Sequence, residues 1–358
     1  MSYTNGLDDP TLYFNTKLYT GNGSTQSITG VGFQPDWVWT KKRSAGEEHI
    51  IYDSVRGVYK YIKSDGTDAE SNVTTSLTSF DSDGFTLGSS WNTSGATYAS
   101  WNWLASNTTA SNTDGDITST VSANTTSGFS IFSYTGTGAS TATVGHGCSS
   151  EPKFVIVKNR SSTSDWVTYH YGAGATGLYN PNQASLLLNT TDASANPAGG
   201  GYLNNGYFSN VNSTTITLRD VGNDSNVNST GNNYIGYAFA EVKGFSKFGS
   251  YTGNGNADGT FVYTGFKPAF FMLKRTDSTG DWQIQDSKRP EYNPLPFYLE
   301  ANNSNAEVDW TSSFPLDFVS NGMKIRNSGT QMNTSGASYI YMAFAEEPLV
   351  GDNPATAR

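Results

Sequence analysis

Tyr19-Thr20-Gly21-Asn22-Gly23 is the first of three closely similar stretches, and this repetition decides how the chain is organised. The pattern returns as Tyr134–Gly138 and as Tyr251–Gly255, so the copies begin 115 and 117 residues apart. Solenoid repeats run from about 20 to 50 residues, whereas a spacing of more than about 100 has the length of a small domain. We therefore predict three tandem copies of one domain.

Each copy also contains a proline, then an apolar strand, then a lysine six residues after the proline. The strands are rich in β-branched and aromatic residues, which suit a pleated and at least half-buried surface. An arginine follows shortly after each lysine, where the strand is expected to emerge into solvent. The three sets are Pro35, Lys41 and Arg43; Pro152, Lys158 and Arg160; and Pro268, Lys274 and Arg275.

A third shared segment closes each copy with a turn and an aromatic strand. The turns are Asn92–Gly95, Asn228–Gly231 and Asn333–Gly336, and each glycine stands three residues before a tyrosine that opens the strand. Gly and Asn supply the positive φ of tight turns, and the residues that follow have strand-like patterns. We predict that every copy ends in the same β-hairpin.

These features together predict an all-β protein of three tandem β-sandwich domains, jelly-roll or lectin-like in character. Sustained helical periodicity is absent, and short strands alternate with Gly/Asn turns. The predicted domains are residues 1–110, 111–242 and 243–358. The first diverges most and is a candidate docking domain, the second carries a long loop insert from about Gly172 to Gly206, and the third ends in a short tail.

The composition excludes several classes of function. A net charge of −10 without a basic run argues against nucleic acid, and 13% aromatic residues argue against disorder. The amino terminus lacks a signal-peptide pattern, and no apolar run approaches the roughly 18 residues of a membrane span. The single cysteine, Cys148, has no internal disulfide partner and is expected to be a small buried residue.

The sequence predicts no catalytic residue, metal or cofactor. Asp165 with His170, and Asp281 with Asp286, occupy matching positions in two copies, which favours a structural polar contact over catalysis. Asp81–Gly84 has the composition of a calcium loop, but a plain turn is the better interpretation. A polysaccharide depolymerase needs paired acids, and no two acids recur together in all copies.

The aromatic residues provide the candidate binding residues. Two tryptophan pairs, Trp37 with Trp39 and Trp101 with Trp103, each share one strand face and are predicted to lie in the core. Other aromatic residues lie among Ser, Asn and Pro or in the repeated Asp-Trp segment, where exposed rings would stack on sugars or fill a protein interface. The candidates are Trp91, Trp166, Trp282, Tyr292 and Trp310.

The motifs resemble a repeat-domain family of unknown function in virion structural and tail proteins of marine bacteriophages, cyanophage-like and pelagiphage-like. The first copy departs most, with Trp101–Ala105 where the other copies end in Phe-Ala-Glu. The resemblance implies placement on the virion and a lectin-like β-sandwich. It is carried by Tyr251–Gly255, Gly265–Phe270, Lys274-Arg275, Asp281-Trp282, Tyr339–Glu346 and Tyr237–Glu241.

We therefore expect a non-enzymatic virion surface protein: a tail fibre, tail-tip or receptor-binding component that recognises a host-surface glycan or protein. Such a protein is made in the host cytoplasm and released by lysis, so it needs neither a signal peptide nor disulfides. Expected partners are other virion proteins and copies of itself, with a trimer favoured. The alternative is a capsid decoration or cement protein, because the repeats begin by about Thr11 and leave little room for an attachment region. A polysaccharide depolymerase is the third hypothesis.

Overall fold

The computed structural model describes residues 7–173, 185–194, 206–219, 226–290, 292–310, 315–348 and residue 354. The predicted loop insert lies largely outside these ranges, as does most of the predicted carboxyl-terminal tail. The regular structure of the described residues consists of β-strands and one short 3-10 helix, Pro10–Leu12. The strands pair antiparallel, so the prediction of an all-β protein is confirmed.

The first repeat, called unit 1, forms one large and one small sheet. Its strands are β1 (Phe14–Thr20), β2 (Gln26–Thr29), β3 (Trp37–Lys42), β4 (Ile50–Asp53), β5 (Lys60–Lys63), β6 (Ser71–Asn72), β7 (Leu77–Asp81), β8 (Gly84–Leu87) and β9 (Thr97–Trp103). The large sheet has the order β1-β9-β3-β4-β5-β6, and the small sheet has the order β2-β8-β7.

The second repeat, unit 2, has the same plan, with two more strands at one edge of its large sheet and, among the described residues, one fewer at the other. Its strands are β10 (Ala110–Asn112), β11 (Ser119–Asn124), β12 (Phe129–Thr135), β13 (Thr141–Gly145), β14 (Pro152–Asn159), β15 (Trp166–His170), β16 (Ser185–Leu187), β17 (Phe208–Val211), β18 (Thr215–Arg219) and β19 (Asn233–Ala240). The large sheet runs β10-β11-β12-β19-β14-β15-β16, and the small sheet runs β13-β18-β17.

The third repeat, unit 3, returns to the plan of the first. Its strands are β20 (Ser246–Thr252), β21 (Phe261–Tyr263), β22 (Phe266–Arg275), β23 (Gln283–Asp286), β24 (Phe297–Glu300), β25 (Val308–Asp309), β26 (Leu316–Val319), β27 (Gly322–Ile325) and β28 (Ser338–Pro348). The sheets run β20-β28-β22-β23-β24-β25 and β21-β27-β26. In every unit the closing strand lies between the Tyr-Thr-Gly strand and the Pro-led strand.

The two faces of each large sheet bury different cores. Along β19, Ile235 and Phe239 point into a cluster common to all three units, whereas Tyr234 and Ala238 join the cluster under the small sheet of unit 2. Side chains alternate between the faces of a strand, so an apolar residue at nearly every position means that both faces are buried. In each unit, one face of the large sheet therefore shares a cluster with small-sheet residues, and the other face joins the cluster common to all three units.

One aromatic core joins the three units. The ring of Trp37 in unit 1 lies 4.7 Å from that of Tyr237 in unit 2, and the ring of Trp103 lies 5.4 Å from that of Phe344 in unit 3. Phe239 closes the circle, 5.8 Å from Phe344. The predicted core positions of Trp37, Trp39, Trp101 and Trp103 are confirmed, since all four are buried. The three large sheets thus enclose one interior, and the boundaries predicted at residues 110 and 242 stay predictions.

Candidate functional site

A buried asparagine ties each Tyr-Thr-Gly turn to its closing hairpin. In unit 3, Asn333 Oδ1 accepts a hydrogen bond from the amide of Asn254 at 2.9 Å, and Asn333 Nδ2 donates to the carbonyl of Asn256 at 2.9 Å. Asn92 and Asn228 are also fully buried and bond the matching turns of units 1 and 2. The repeated asparagines therefore hold the fold together and do not face a ligand.

The repeated tyrosines stack in pairs beside these turns. The ring centroids are 5.0 Å apart for Tyr19 and Tyr98, 5.0 Å for Tyr134 and Tyr234, and 4.9 Å for Tyr251 and Tyr339. Burial raises the pKa of Tyr19, Tyr134 and Tyr251, because an ionised phenol is poorly solvated there. The most recognisable motif of the sequence is thus a structural joint in all three units.

Replacing the asparagine of one joint tests this role. We expect Asn333→Ala to lower the free energy of unfolding by about 1–3 kcal/mol, because buried main-chain groups lose their partner. Asn256→Ala is the control: its side chain is exposed, and a change of no more than about 0.5 kcal/mol is expected. Urea unfolding of both variants measures the difference. Equal midpoints would refute the structural role of Asn333.

The repeated lysines reach from one unit to the next. All three are buried, and burial lowers the pKa of each ammonium to about 8. Each ammonium donates across an interface: Lys41 to the Ser304 carbonyl at 3.0 Å, Lys158 to that of Thr67 at 3.1 Å, and Lys274 to that of Thr191 at 3.0 Å. The contacts run from unit 1 to unit 3, from unit 2 to unit 1 and from unit 3 to unit 2, which is a closed cycle.

The repeated tryptophans of the Asp-Trp segments make two of the three contacts of the same cycle. Trp166 Nε1 donates to the carbonyl of Lys63 at 2.7 Å, and Trp282 Nε1 donates to the carbonyl of Leu187 at 2.9 Å. Their exposed fractions are 0% and 2%. A ring without exposed area has no face for a ligand from solvent, so the assignment of Trp166 and Trp282 as binding residues is corrected: both are interface residues.

The matching positions of Asp53, His170 and Asp286 also bond a neighbouring unit. Asp53 Oδ2 accepts from the Tyr237 hydroxyl at 2.7 Å, Asp286 Oδ2 accepts from Trp101 Nε1 at 3.0 Å, and His170 Nε2 lies 2.9 Å from the Tyr341 carbonyl. Burial lowers the pKa of His170 to about 4. The structural role predicted for His170 and Asp286 is therefore confirmed, but with partners in a neighbouring unit. Their predicted partners, Asp165 and Asp281, accept instead from Asn189 and Asn302 of their own units.

Two of the three interfaces contain a network of ion pairs. Arg56 binds Asp53 within unit 1, and both side chains are completely buried. Glu70 then joins Arg56, at 3.5 Å, to Arg160 of unit 2, at 2.8 Å. The interface between units 1 and 3 repeats this arrangement with Asp286, Arg289, Glu307 and Arg43.

The third interface replaces these charges with neutral groups. At the position of Arg43 and Arg160, two residues after the lysine, unit 3 has Thr276, whose carbonyl accepts from the amide of Ser194 at 2.8 Å. Arg275 instead pairs with Asp277 of its own unit at 2.7 Å. The expectation that these arginines emerge into solvent is wrong for Arg43 and Arg160, because each binds a glutamate of the next unit.

Unit 1 differs from the others at a carboxyl group beside its β4 strand. In units 2 and 3 an amide side chain, Asn189 or Asn302, caps the corresponding strand and donates to a nearby aspartate at 2.8 Å. Asp65 holds this place in unit 1 and accepts from the His49 amide at 3.3 Å. Burial, with a smaller effect of the Glu48 carboxylate, raises the pKa of Asp65 to about 6.

Asp65→Asn is therefore expected to stabilise the protein at neutral pH. The folded-state pKa of Asp65 is about 6, above the ordinary value of 3.8, so the folded protein favours the protonated carboxyl group. The resulting contribution to stability is complete below pH 3.8 and is lost as the pH rises through 6. At pH 7.5 we expect a gain of about 1–2 kcal/mol, which shrinks toward pH 4. Chemical denaturation at both pH values measures it. Asp68→Asn, at an exposed position, should give no such gain, and a pH-independent effect of Asp65→Asn would contradict the explanation.

The remaining candidate residues are at least partly accessible. Trp91 is half-buried, with its ring centroid 5.4 Å from that of Tyr61, and Trp310 is half-buried, with its ring centroid 4.7 Å from that of Tyr298. Tyr292 has an exposed fraction of 73%, the highest among the exposed large apolar side chains of the described residues. These three stay predictions as binding residues.

Sequence reasoning missed two exposed rings on β21. Phe261 and Tyr263 have exposed fractions of 44% and 56%, while Val262 between them is buried. Side chains alternate between the two faces of a strand, which would place Phe261 and Tyr263 on the face opposite Val262. All three residues are apolar, however, so the sequence does not show which face is buried.

The acidic, histidine and cysteine side chains do not gather into a metal site in the described part of the chain. It contains no group of three or more His, Cys, Asp or Glu residues arranged to hold a metal ion. The calcium-like stretch forms the turn between β7 and β8. Asp83 in this turn accepts from the amides of Gly30 at 2.9 Å and Gly32 at 2.7 Å. Cys148 is buried, and burial raises the pKa of its thiol. Within the same ranges, no helix has the length and apolar character to cross a membrane.

A family model described as a domain of unknown function (DUF7483) matches residues 9–348. The match spans all three units with one domain model, in agreement with their shared interior. No curated protein and no solved structure gives a significant match to the chain.

Proposed function

The chain belongs to the DUF7483 family, and from the resemblance of its motifs to virion proteins of marine bacteriophages we propose that it is a non-enzymatic surface protein of a bacteriophage particle, a tail fibre, tail-tip or receptor-binding component. The observation that carries the proposal is that repeated and unrepeated residues occupy different places in the structure. The asparagines and lysines that recur in all copies are buried in joints and interfaces, and the recurring tyrosines stack within the joints, whereas exposed rings such as Tyr292 occur in single units. Interior contacts that are repeated in the three units, combined with surface residues that differ between them, suit a protein that binds a partner through its surface.

The titratable groups support a role without catalysis. His49, His146 and His170 are buried, and burial lowers the pKa of each, so none is placed to exchange protons with a substrate from solvent. Buried carboxylates such as Asp53 and Asp286 are engaged in ion pairs. A polysaccharide depolymerase, which needs an acid pair in an open cleft, has no support from these contacts.

The proposal includes the setting of the protein. It would be made in the host cytoplasm, leave by lysis and stand on the virion, where other virion proteins and a host-surface glycan or protein are its partners. Association into a trimer is part of the proposal, as is the assignment of each unit to the jelly-roll or lectin-like sandwiches. Weak sites on a multivalent particle reinforce one another by about 10²–10⁴.

Immunogold electron microscopy of the virion that carries this chain tests the proposal. Label on the tail or its fibres, together with binding of the purified protein to host envelope fractions, is the expected result. Label spread over the head would make the chain a decoration or cement protein and overturn the receptor hypothesis. An unlabelled particle would overturn virion placement altogether.

A further inference from the structure

The small sheet of unit 3 has an outer face unlike those of the other units. On β21 the residues Phe261 and Tyr263 point outward from an edge strand and expose 44% and 56% of their area. On the corresponding strands, unit 1 exposes Ser27 and Thr29, and unit 2 exposes Thr141. The aromatic pair is therefore peculiar to one unit.

Each ring passes close to a glycine of its own unit and remains partly exposed. A Cβ added at Gly322 would stand 3.1 Å from two ring atoms of Phe261, and one added at Gly265 would stand 3.5–3.6 Å from ring atoms of Tyr263. Residues two apart on one strand face are about 6.5–7 Å apart. The rings thus form two neighbouring stacking platforms along the edge of the sheet, called the aromatic platform.

Polar groups of balanced charge border the aromatic platform. Lys324 stands directly opposite Phe261 on β27 and pairs with Asp258 at 2.8 Å. On β26, the opposite edge strand, Asp317 stands across from Lys324 and pairs with Arg326 at 2.6 Å. Two cations are matched by two carboxylates, so the border offers hydrogen-bond donors and acceptors without a net charge.

We propose that the aromatic platform binds an uncharged pyranose oligosaccharide, two neighbouring sugar rings stacking on Phe261 and Tyr263 while Lys324 and Asp258 bond their hydroxyl groups. Stacking uses the apolar faces of the sugars, and the paired charges meet the hydroxyls at the edges of the rings. This inference rests on the proposed function and names its ligand class. A charged partner would leave one member of each ion pair opposed by a like charge.

The test uses the full-length protein and a panel of neutral tetrasaccharides of glucose, galactose, mannose and N-acetylglucosamine, with binding measured by isothermal titration calorimetry. We expect at least one to bind. The variant Phe261→Thr/Tyr263→Thr, which gives β21 outward hydroxyl groups like those of units 1 and 2, should weaken that binding by at least about tenfold. Leu12→Thr removes another exposed apolar side chain, 51% exposed and outside the small sheet, and should leave the affinity unchanged.

Three outcomes would overturn the inference. Binding that survives in the double variant places the glycan elsewhere, and absence of binding by the unaltered protein removes the ligand class. Binding to host envelope that depends on Phe261 and Tyr263 but resists periodate oxidation identifies a protein partner instead. The immunogold result is independent of all three, so failure of this inference is distinguishable from failure of the proposed function.

Discussion

Arg56→Met is expected to lower the free energy of unfolding by about 3–5 kcal/mol, because it leaves the Asp53 carboxylate buried without its cation. The guanidinium also donates to the Ile51 carbonyl at 2.9 Å, and Asp53 accepts the Tyr237 hydroxyl from the next unit. The loss therefore affects an interface as well as unit 1. Equilibrium unfolding in urea, followed by far-ultraviolet circular dichroism, measures the change.

Two further variants make the Arg56 experiment decisive. Arg275→Met removes an arginine whose partner, Asp277, has a side chain 40% exposed, and it should cost no more than about 1 kcal/mol. The double variant Asp53→Asn/Arg56→Met removes both charges and retains an acceptor for Tyr237, so it should recover part of the stability. If Arg56→Met and Arg275→Met proved equally mild, the buried pair would not stabilise the interface.

The third repeat alone, residues 243–358, is expected not to fold into a monomeric native structure. Its large sheet buries Phe270, Trp282 and Phe344 against units 1 and 2, and an isolated fragment would expose that face to water. Burying a large apolar side chain contributes about 1.5–3 kcal/mol, so losing several such contacts exceeds the stability of a small domain. Size-exclusion chromatography and two-dimensional amide NMR of the fragment would show aggregation or poor dispersion.

The full-length chain supplies the control for the fragment. With one shared interior, tryptophan fluorescence and far-ultraviolet circular dichroism should report a single coincident transition. Adding the fragment 1–242 to the third repeat should restore dispersed spectra, because the missing faces are then supplied. A monomeric, well-dispersed spectrum from residues 243–358 alone would mean that the units are independent domains.

The repeats made the strands and hairpins predictable because their signals are local. Gly336 adopts a φ of +76° in the closing turn, and Asn333 fills the joint behind it, so sequence spacing alone located both. The core tryptophans were equally accessible, since alternation along β3 and β9 places them on one face. All-β character follows from the same short-range patterns.

The arrangement of the three units could not be predicted from the sequence, because many of the contacts between units use main-chain carbonyl groups, which every residue type has. Lys41 binds the carbonyl of Ser304, 263 residues away, and any residue at 304 would supply that acceptor. Trp166 was read as a candidate binding residue because a strand buried on both faces loses the alternation that separates inside from outside. The exposure of Phe261 and Tyr263 could not be predicted either, because an aromatic residue in an apolar strand is compatible with both a buried and an exposed position.

The closed cycle of lysine contacts has a consequence for how such a body can evolve. In an assembly of three identical chains, every substitution appears three times about the axis, so a change useful at one position must be tolerated at all. A single chain removes that restraint, and here Asp65, His170 and Phe261 each occur in one unit only. The three units therefore present different surfaces, and a partner that recognises one of them fixes the orientation of the whole body.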